Sequence, residues 1–413
     1  MFRGNVEFTI KLNVSIMNIN FIRKHKKIFF LFSIFCALNV ILFLFIYLYH
    51  GTILFKKVNY LHSDHYVTDE RILDGRYTFL RSLGVYDAQW YLKIADKGYP
   101  KDPNPLQLER LNEMEARSYA FFPAYPFTIK FFNIFIKNIE ISAFTLAILY
   151  LVLNFFSLYF VITKLYSQTL AYKTIFLIFL FPFSIFYRSY FSEGSQLFLL
   201  IWFAYFLIKK RFFISALFLS LLNVTKGNAL LLNIYFIYEL FKLLRSNYIS
   251  KVKFLQIIII SSSLLIIWMA YCHYQTGNPL YFYKALSAWY TKSYFPFWFL
   301  YNTAMIFIFP FLPLHYFRLS KIEVISLITT LFIIIKMRKI LKRELVWISF
   351  ILWLTPFISK DLISFTRYQT VSFPIFMYLA YKLKGWSYLM LAIAFTVGLF
   401  ITSVLFVNWH WIG

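Results

Sequence analysis

The sequence predicts an all-α polytopic membrane protein. Three observations support this: the apolar content, the recurrence of apolar runs and the placement of basic residues. Of the 413 residues, 61% are hydrophobic, whereas soluble globular domains contain about 45–50%. Apolar runs of a length that can enter or cross a bilayer recur along almost the whole chain. The same composition, with Cys36 and Cys272 as its two cysteines, excludes a collagen-like, disordered or disulfide-stabilised protein.

The net charge of +25 is unevenly distributed, and its pattern indicates membrane topology. Residues 51–118 contain 10 acidic and 10 basic residues, so the rest of the chain carries the entire excess. Basic clusters lie between apolar runs, at 23–27, 209–211 and 336–343. Because cytoplasmic loops retain Lys and Arg during insertion, we expect residues 51–118 to lie outside the cytoplasm. We expect no nucleic-acid partner, since none of the nucleic-acid-binding folds fits such a chain.

The first predicted elements are a basic cytoplasmic segment, residues 1–27, and a transmembrane helix at 28–49. This apolar run has 22 residues, enough to cross a hydrocarbon core of about 30 Å. No small-residue cleavage site follows it, so we interpret it as a retained signal anchor. Residues 50–140 then predict an extracytoplasmic loop with interfacial helices.

The remaining chain, residues 141–413, predicts a multi-helix transmembrane bundle. Including the first, the apolar runs lie at 28–49, 119–136, 141–163, 174–190, 194–208, 212–224, 229–244, 254–271, 298–317, 322–336, 344–358, 369–382 and 386–407. If every run crossed the membrane, the basic clusters at 209–211 and 242–253 would both lie outside, against the positive-inside bias. The paired prolines of runs 119–136 and 298–317 favour re-entrant or interfacial segments. This assignment gives about eleven spans, with the C-terminus outside.

Four ionisable residues within or beside the predicted spans are candidates for a functional site, because such residues are costly in a membrane. The eleven-span arrangement places all four at the outer face, although they come from separate segments: Asp87, Glu193, Lys226 and Arg367. The alternative for the two cations is that they extend to lipid phosphates. The alternative for Glu193 is a structural pair with Arg188.

Residues 86–99 predict a short amphipathic helix. Apolar residues at 88, 91, 92 and 95 recur at helical spacing, and Gly98 follows as a stop signal. Asp87 opens this helix. Its carboxylate is either an N-terminal cap or a general base held at the membrane surface.

Several blocks of the sequence, in this order, resemble the PIG-V mannosyltransferases and their bacterial relatives. These blocks are 86–99 (YDAQWYLKIADKGY), 121–126 (FFPAYP), 182–186 (PFSIF), 190–193 (YFSE), 225–228 (TKGN), 276–280 (TGNPL), 367–368 (RY) and 373–374 (FP). The family has the GT-C membrane glycosyltransferase fold. Its usual Trp before the loop aspartate is Tyr86 here, its Arg-Ser-Asn-Gly stretch is 225–228, and its Tyr-Ser-Glu stretch is split by Phe191. These departures bear on the acceptor more than on the reaction.

The resemblance implies a glycosyltransferase that moves a hexose, with mannose as the expected sugar, from a polyprenyl (dolichyl-type) phosphate. The acceptor is a hydroxyl of a lipid-linked or cell-surface glycan on the extracytoplasmic side. The transfer inverts the configuration at C1 of the sugar. The implied partners are this donor, this acceptor and membrane lipids. The expected location is a multi-pass position in a bacterial cell (inner) membrane, or in the endoplasmic reticulum membrane of a eukaryote.

The resemblance also implies roles for individual residues and makes residues 50–140 the catalytic loop. Asp87 and Glu193 are the catalytic candidates. Arg367 and Lys226 are the candidates for binding the donor phosphate, which the fork of arginine fits best. The substrate-binding candidates are Gln89, Trp90, Tyr91, Asp96, Tyr99, Tyr368 and Asn228. The alternatives are interfacial anchoring for Trp90 and Tyr91 and solvation for Asp96.

No cofactor is expected to be required, and a divalent metal ion is left open. The group His62-Ser63-Asp64-His65 contains possible metal ligands. Residues this close in sequence seldom complete a site alone. We therefore predict no metal site there.

Two other functions share parts of this pattern. A lipid-linked glycan transporter or flippase also has many spans and intramembrane charges, but the sequence has no detectable inverted repeat and its carboxylate-rich loop is atypical. A glycan polymerase that uses polyprenyl diphosphate donors would share the topology and the cations. Its catalytic loop would be expected later in the chain.

Overall fold

The computed structural model describes residues 3–101, 116–286, 321–358 and 364–412. Within these ranges all regular secondary structure is helical, in agreement with the predicted all-α class. The chain separates into two compact units, residues 1–50 and 51–413. In the described ranges, five helices are long and apolar enough to cross a membrane: Lys26–Thr52, Ile139–Leu165, Gly227–Arg245, Lys251–Thr276 and Gly385–Val407.

The first unit consists of a helix, α1 (Arg3–Tyr49). It contains the whole predicted span at 28–49, a run without Gly or Pro that could interrupt a helix. Large apolar side chains such as Phe30 and Leu48 are exposed. An exposed apolar surface of this kind suits contact with lipid.

The second unit contains the remaining α-helices. In chain order these are α2 (Lys57–His62), α3 (Phe79–Ser82), α4 (Asp87–Lys97), α5 (Ala124–Ile136), α6 (Ile139–Leu165), α7 (Gln168–Leu180), α8 (Glu193–Ile208), α9 (Phe212–Asn223), α10 (Leu232–Arg245), α11 (Lys251–Thr276), α12 (Tyr281–Leu286), α13 (Lys321–Met337), α14 (Arg343–Ile358), α15 (Phe365–Tyr368), α16 (Phe373–Lys382) and α17 (Gly385–Val407). Short 3-10 turns connect several of them.

Helix α8 occupies a central position in this unit. It packs against α6, α9 and α14 and against the 3-10 turns Pro182–Tyr187 and Gln369–Val371. Its side chains are apolar on most sides, as is typical of a buried helix. The chain reverses at residues 209–211, and α9 packs back along α8. The start of α8 and the end of α9 therefore lie at the same end of this helical hairpin.

Two predicted apolar runs are interrupted rather than continuous. The run at 174–190 divides at Phe181, where α7 has ended and the 3-10 turn Pro182–Tyr187 begins. The run at 369–382 divides into the turn Gln369–Val371 and helix α16, which has Pro374 in its first turn. Proline lacks the backbone N–H that a continuing helix needs. The prediction that each of these runs forms one helix was therefore wrong. The structure has five candidate membrane spans in the described ranges, and the total of about eleven spans stays a prediction.

The two runs predicted not to span the membrane have different outcomes. Helix α5 covers the second part of 119–136 and has 13 residues, about 20 Å of helix, too short for a hydrocarbon core of about 30 Å. It buries Tyr125 and Ile129 and exposes Phe131 and Phe135, so it is amphipathic. The run at 298–317 lies outside the described residues.

The amphipathic helix predicted within 86–99 is confirmed as α4. Its apolar residues Ala88, Leu92 and Ala95 are buried, and the helix packs against α5. It ends at Gly98, whose φ of +76° places it in a conformation that favours glycine.

The long polar loop contacts the segment that follows the last helix, residues 408–412. The backbone N–H of Lys56 donates to the Asn408 carbonyl at 2.9 Å, and Asn59 Nδ2 donates to the Trp409 carbonyl at 2.9 Å. Arg71 Nη1 donates to Asn408 Oδ1 at 2.8 Å. The loop and this segment therefore share one face of the protein, and the compartment they face stays a prediction.

Candidate functional site

Arg367 connects the four residues that the sequence predicted to lie at one face. Its Nη2 donates to Asp87 Oδ2 at 2.7 Å, and its Nε donates to Glu193 Oε1 at 2.6 Å. Lys226 Nζ donates to the same Glu193 oxygen at 2.5 Å. We call these four residues the ionic cluster. With two carboxylates and two cations, its formal charge is zero.

The members of the ionic cluster differ in accessibility. The Glu193 and Arg367 side chains are 1% and 3% exposed, whereas those of Lys226 and Asp87 are 13% and 23% exposed. A ligand that approaches the cluster therefore meets Asp87 and Lys226 first. Glu193 holds both cations from the buried side.

Asp87 is the first residue of α4, and the cap position is occupied by Tyr86. The interpretation of Asp87 as the N-terminal cap is therefore wrong. Tyr86 has a φ of +53°, which is uncommon for a residue other than glycine. Its hydroxyl donates to the Trp409 carbonyl and accepts from Asn59 Nδ2 at 3.2 Å. A strained backbone costs about 1–3 kcal/mol and persists where surrounding contacts hold it, and here these contacts fix the start of α4 next to the Asp87 carboxylate.

The alternative partner of Glu193 was Arg188, and the structure does not pair them. Arg188 donates to the Ser184 carbonyl and hydroxyl, both at 2.9 Å, and to the Phe179 carbonyl at 3.1 Å. The ion pairs found for Glu193 among the described residues are those with the cluster cations. In the structure the side chains of both cations point to Glu193, whereas the alternative would direct them to lipid phosphates.

Glu193 lies in the first turn of α8, where the helix dipole favours a negative charge. Its Oε1 accepts hydrogen bonds from both cations, and its Oε2 is buried with no hydrogen-bond partner among the described residues. A buried charged oxygen without a partner is costly.

The two cations have opposite pKa shifts. Burial alone would lower the pKa of Arg367, but the carboxylates of Glu193 and Asp87 outweigh it, so the pKa is raised and the guanidinium stays charged. Burial lowers the pKa of Lys226 to about 8, although Glu193 opposes the shift. Lys226 is therefore the cluster cation whose charge can change near neutral pH.

Aromatic rings surround the Arg367 guanidinium. Its Cζ lies 5.0 Å from the ring centres of both Phe186 and Phe191. It lies 5.7 Å from Tyr368 and 5.6 Å from Trp411. At these distances the cation is attracted to the ring faces. The rings also limit the access of water to the guanidinium.

Two of the predicted substrate-binding residues make well-defined polar contacts. Gln89 Oε1 accepts from the backbone N–H groups of Tyr66 and Val67, both at 2.8 Å, and its Nε2 donates to a carbonyl in the preceding turn. Gln89 therefore connects the loop to α4. Tyr91 shares a hydrogen bond of 2.9 Å with Ser192 Oγ, next to Glu193.

Trp90 and Tyr99 pack in the interior. Trp90 stacks on Phe121 with ring centres 5.7 Å apart, and the Tyr99 hydroxyl donates to the Phe121 carbonyl at 2.6 Å. Trp90 and Tyr91 are 3% and 4% exposed, so neither lies at a lipid-facing surface. The interfacial anchoring considered for them is therefore wrong, and their predicted contact with substrate stays a prediction.

The remaining substrate-binding candidates are divided between the ionic cluster and the surface. Lys226 Nζ lies 5.2 Å from the ring centre of Tyr368. Asn228 Oδ1 accepts from Gln196 Nε2 at 2.5 Å, two residues after Lys226 in the chain. Asp96 is exposed at the far end of α4 and accepts a hydrogen bond from the hydroxyl of Tyr66. Asp96 therefore lies outside the cluster.

Sequence reasoning missed two residues near the cluster, Gln196 and Trp411. Gln196 follows Glu193 by three residues, so it lies on the same face of α8; that spacing could have identified it. Trp411 comes from a segment that the sequence linked only to topology, and no local pattern connects it to Arg367.

The His62-Ser63-Asp64-His65 group does not gather at one point. Asp64 pairs with Arg117 at 3.1 Å, and His65 stacks on Tyr60. In the part of the chain that the structure describes, no group of three or more His, Cys, Asp or Glu side chains could hold a metal ion.

These features define a helical protein with several candidate membrane spans and an ionic cluster at one end of its central hairpin. Comparisons with protein-family models, with curated proteins and with solved structures find no match.

Proposed function

We propose that the chain is an inverting membrane glycosyltransferase. It would move a hexose, with mannose as the expected sugar, from a polyprenyl phosphate to a hydroxyl of a lipid-linked or cell-surface acceptor on the extracytoplasmic side. The observation that carries the proposal is the contact of Arg367 with Asp87 and Glu193, joined by Lys226. These are the residues that the resemblance to the PIG-V mannosyltransferases marks. The GT-C fold is part of the same proposal.

The charge of the cluster suits this reaction. The acceptor oxygen bonds to C1 of the sugar from the side opposite the phosphate, and the bond between C1 and the phosphate oxygen breaks. The hydroxyl proton passes to the Asp87 carboxylate, and the electron pair stays on the lipid phosphate. The phosphate gains one negative charge as Asp87 loses one. The total charge near the two cations therefore stays constant through the transfer.

Arg367 couples these two changes. A protonated Asp87 attracts Nη2 less strongly, which frees the guanidinium for the phosphate that has gained charge. Glu193 keeps its charge and holds both cations in place. This division of roles follows from the exposures of the carboxylates, 23% for Asp87 and 1% for Glu193. The accessible carboxylate takes the proton.

The substitution Asp87→Asn tests the proposed base. It keeps the shape of the side chain and one oxygen for Arg367, but removes the proton acceptor. We expect the transfer of labelled hexose from polyprenyl phosphate in membranes to fall by about 10²–10⁴-fold. Protein amount and membrane insertion are measured for each variant.

The matched control is Asp74→Asn in the same loop, since Asp74 is an exposed carboxylate paired with Arg76. It should keep normal transfer. Near-normal transfer by Asp87→Asn at a normal protein level would refute the assignment of the base. A wild-type protein that moves the labelled lipid across the membrane without transferring its sugar would favour the transporter alternative.

The eleven-span topology in a bacterial cell membrane is also part of the proposal. Cysteines introduced by Glu70→Cys and Ile412→Cys, in a background without Cys36 and Cys272, should react with an impermeant thiol reagent in intact cells. A cysteine introduced by Lys210→Cys should react only after the membrane is opened. Labelling of either outer position only after lysis would exclude this topology.

A further inference from the structure

Trp411 lies at the edge of the ionic cluster, although its segment follows the last helix. Its ring centre is 5.6 Å from Arg367 Cζ. It also makes an edge-on contact with Tyr86, the residue before Asp87, with 4.9 Å between ring centres. The ring therefore lies beside Arg367, the proposed phosphate ligand, and against the residue that precedes Asp87, the proposed base.

Contacts at Trp409 hold this segment in place. Trp409 is 1% exposed, and its indole Nε1 donates to Asp69 Oδ2 at 3.1 Å. Its carbonyl accepts from Asn59 Nδ2 at 2.9 Å, and its φ is +61°. The position of the segment is thus fixed two residues before Trp411.

Trp411 differs from the two phenylalanines that also contact the guanidinium. Phe186 and Phe191 are 0% and 2% exposed, whereas Trp411 is 37% exposed. Buried rings can only enclose the cation. An exposed ring also offers surface to a ligand, and tryptophan supplies a large apolar area together with a polar N–H group.

We infer that Trp411 contacts the sugar of the polyprenyl-phosphate-linked donor, an inference that rests on the proposed function. The sugar is joined to the phosphate through a single oxygen. If the phosphate binds Arg367, the hexose must therefore lie within about one ring width of the guanidinium. The exposed surface of Trp411 lies within that distance of the guanidinium. A pyranose presents C–H groups on its faces, and these pack against an aromatic ring.

The test compares the binding of two lipids to the full-length protein in detergent. One is polyprenyl phosphate and the other is its mannosyl derivative. The substitutions are Trp411→Ala and Trp411→Leu, the second of which keeps apolar bulk without an aromatic ring. We expect both to weaken binding of the mannosyl lipid, by about 10-fold for alanine, with binding of polyprenyl phosphate unchanged. The matched control is Trp386→Ala, since Trp386 is an exposed tryptophan at the opposite end of α17.

The outcomes separate the inference from the proposed function. Equal losses for the two lipids would mean that Trp411 acts through Arg367, and would overturn the inference while the proposed function stands. Unchanged binding of both lipids in the variants would overturn it as well. A wild-type protein that binds neither lipid would overturn the proposed function and the inference together. If Trp411→Ala does not accumulate, Trp411→Leu supplies the same comparison.

Discussion

The two ends of the α8–α9 hairpin contain the same kinds of basic residue in opposite surroundings. At the reversal between the helices, Lys209, Lys210 and Arg211 are exposed. At the other end, about 24 Å away along the 16 residues of α8, Lys226 is 13% exposed and shares Glu193 with Arg367. Basic residues at the exposed turn suit a role in topology. Those at the buried end are suited to hold a ligand.

The comparison shows how burial changes the contribution of a charged side chain to stability. An exposed cation is hydrated and screened, and a surface ion pair contributes about 0–1 kcal/mol. A buried cation loses its hydration and depends on its partners, so removal of one partner typically costs about 3–5 kcal/mol. Substitutions at the two ends should therefore have different effects on activity and stability.

The largest expected effect is that of Arg367→Ala, which leaves Glu193 and Asp87 without their shared partner. We expect unfolding in detergent to become easier by about 3–5 kcal/mol and sugar transfer to be lost. Arg367→Lys keeps the charge but loses the two-pronged geometry. It should retain more stability than the alanine variant while still impairing transfer. Normal transfer by Arg367→Ala would contradict the proposed phosphate site.

Lys226→Ala should have a smaller effect, because Arg367 still holds Glu193. We expect weaker use of the donor, measured as an increased KM for the polyprenyl-phosphate sugar. The lowered pKa of Lys226, about 8, also predicts a pH dependence. The wild-type ammonium loses its charge as the pH rises through that value, so donor use should decline above it. Lys226→Ala should lack this decline.

The control at the other end of the hairpin is Lys210→Ala. It should leave both KM and the pH profile unchanged, since Lys210 is exposed and remote from Glu193. Equal effects of the two alanine variants on donor use would remove the distinction between the two ends.

The smallest effect is expected for Glu140→Gln, a substitution that tests whether a partly buried ion pair outside the cluster matters for activity. Arg81 in the loop donates two hydrogen bonds to Glu140, at 2.7 and 2.8 Å. Glu140→Gln weakens this pair but leaves an oxygen for the guanidinium, so we expect a loss of stability of about 1 kcal/mol. Transfer per amount of folded protein should not change. A large loss of transfer would show that the pair contributes to the site.

The features that the sequence predicted correctly depend on local rules. Helix α4 follows from the spacing of Ala88, Leu92 and Ala95. The contact of Asp87 with Arg367 is compatible with the eleven-span argument, which used the distribution of Lys and Arg and the paired prolines and which stays a prediction. Each needed no knowledge of how the helices pack.

The break at Pro182 had a local signal in the proline itself, which the prediction of one helix for the run overlooked. The other features that were missed depend on tertiary contacts. Gln89 lies among residues suited to a substrate, but it binds the backbone of a loop that folds over it. Trp411 reaches Arg367 only because the loop holds Trp409. No window of sequence around Gln89 or Trp411 contains that information.

The arrangement of Glu193 also has a consequence for synthesis of the protein. Lys226 follows it by 33 residues in the chain, whereas Arg367 follows it by 174. At about 5–20 residues per second, the ribosome adds Arg367 roughly 9–35 s after Glu193. The α8–α9 hairpin and Lys226, which lies against the carboxylate in the folded protein, are synthesised within this interval. Lys226 can therefore act as the first counterion of the nascent chain, and Arg367 completes the neutralisation once its segment has been inserted.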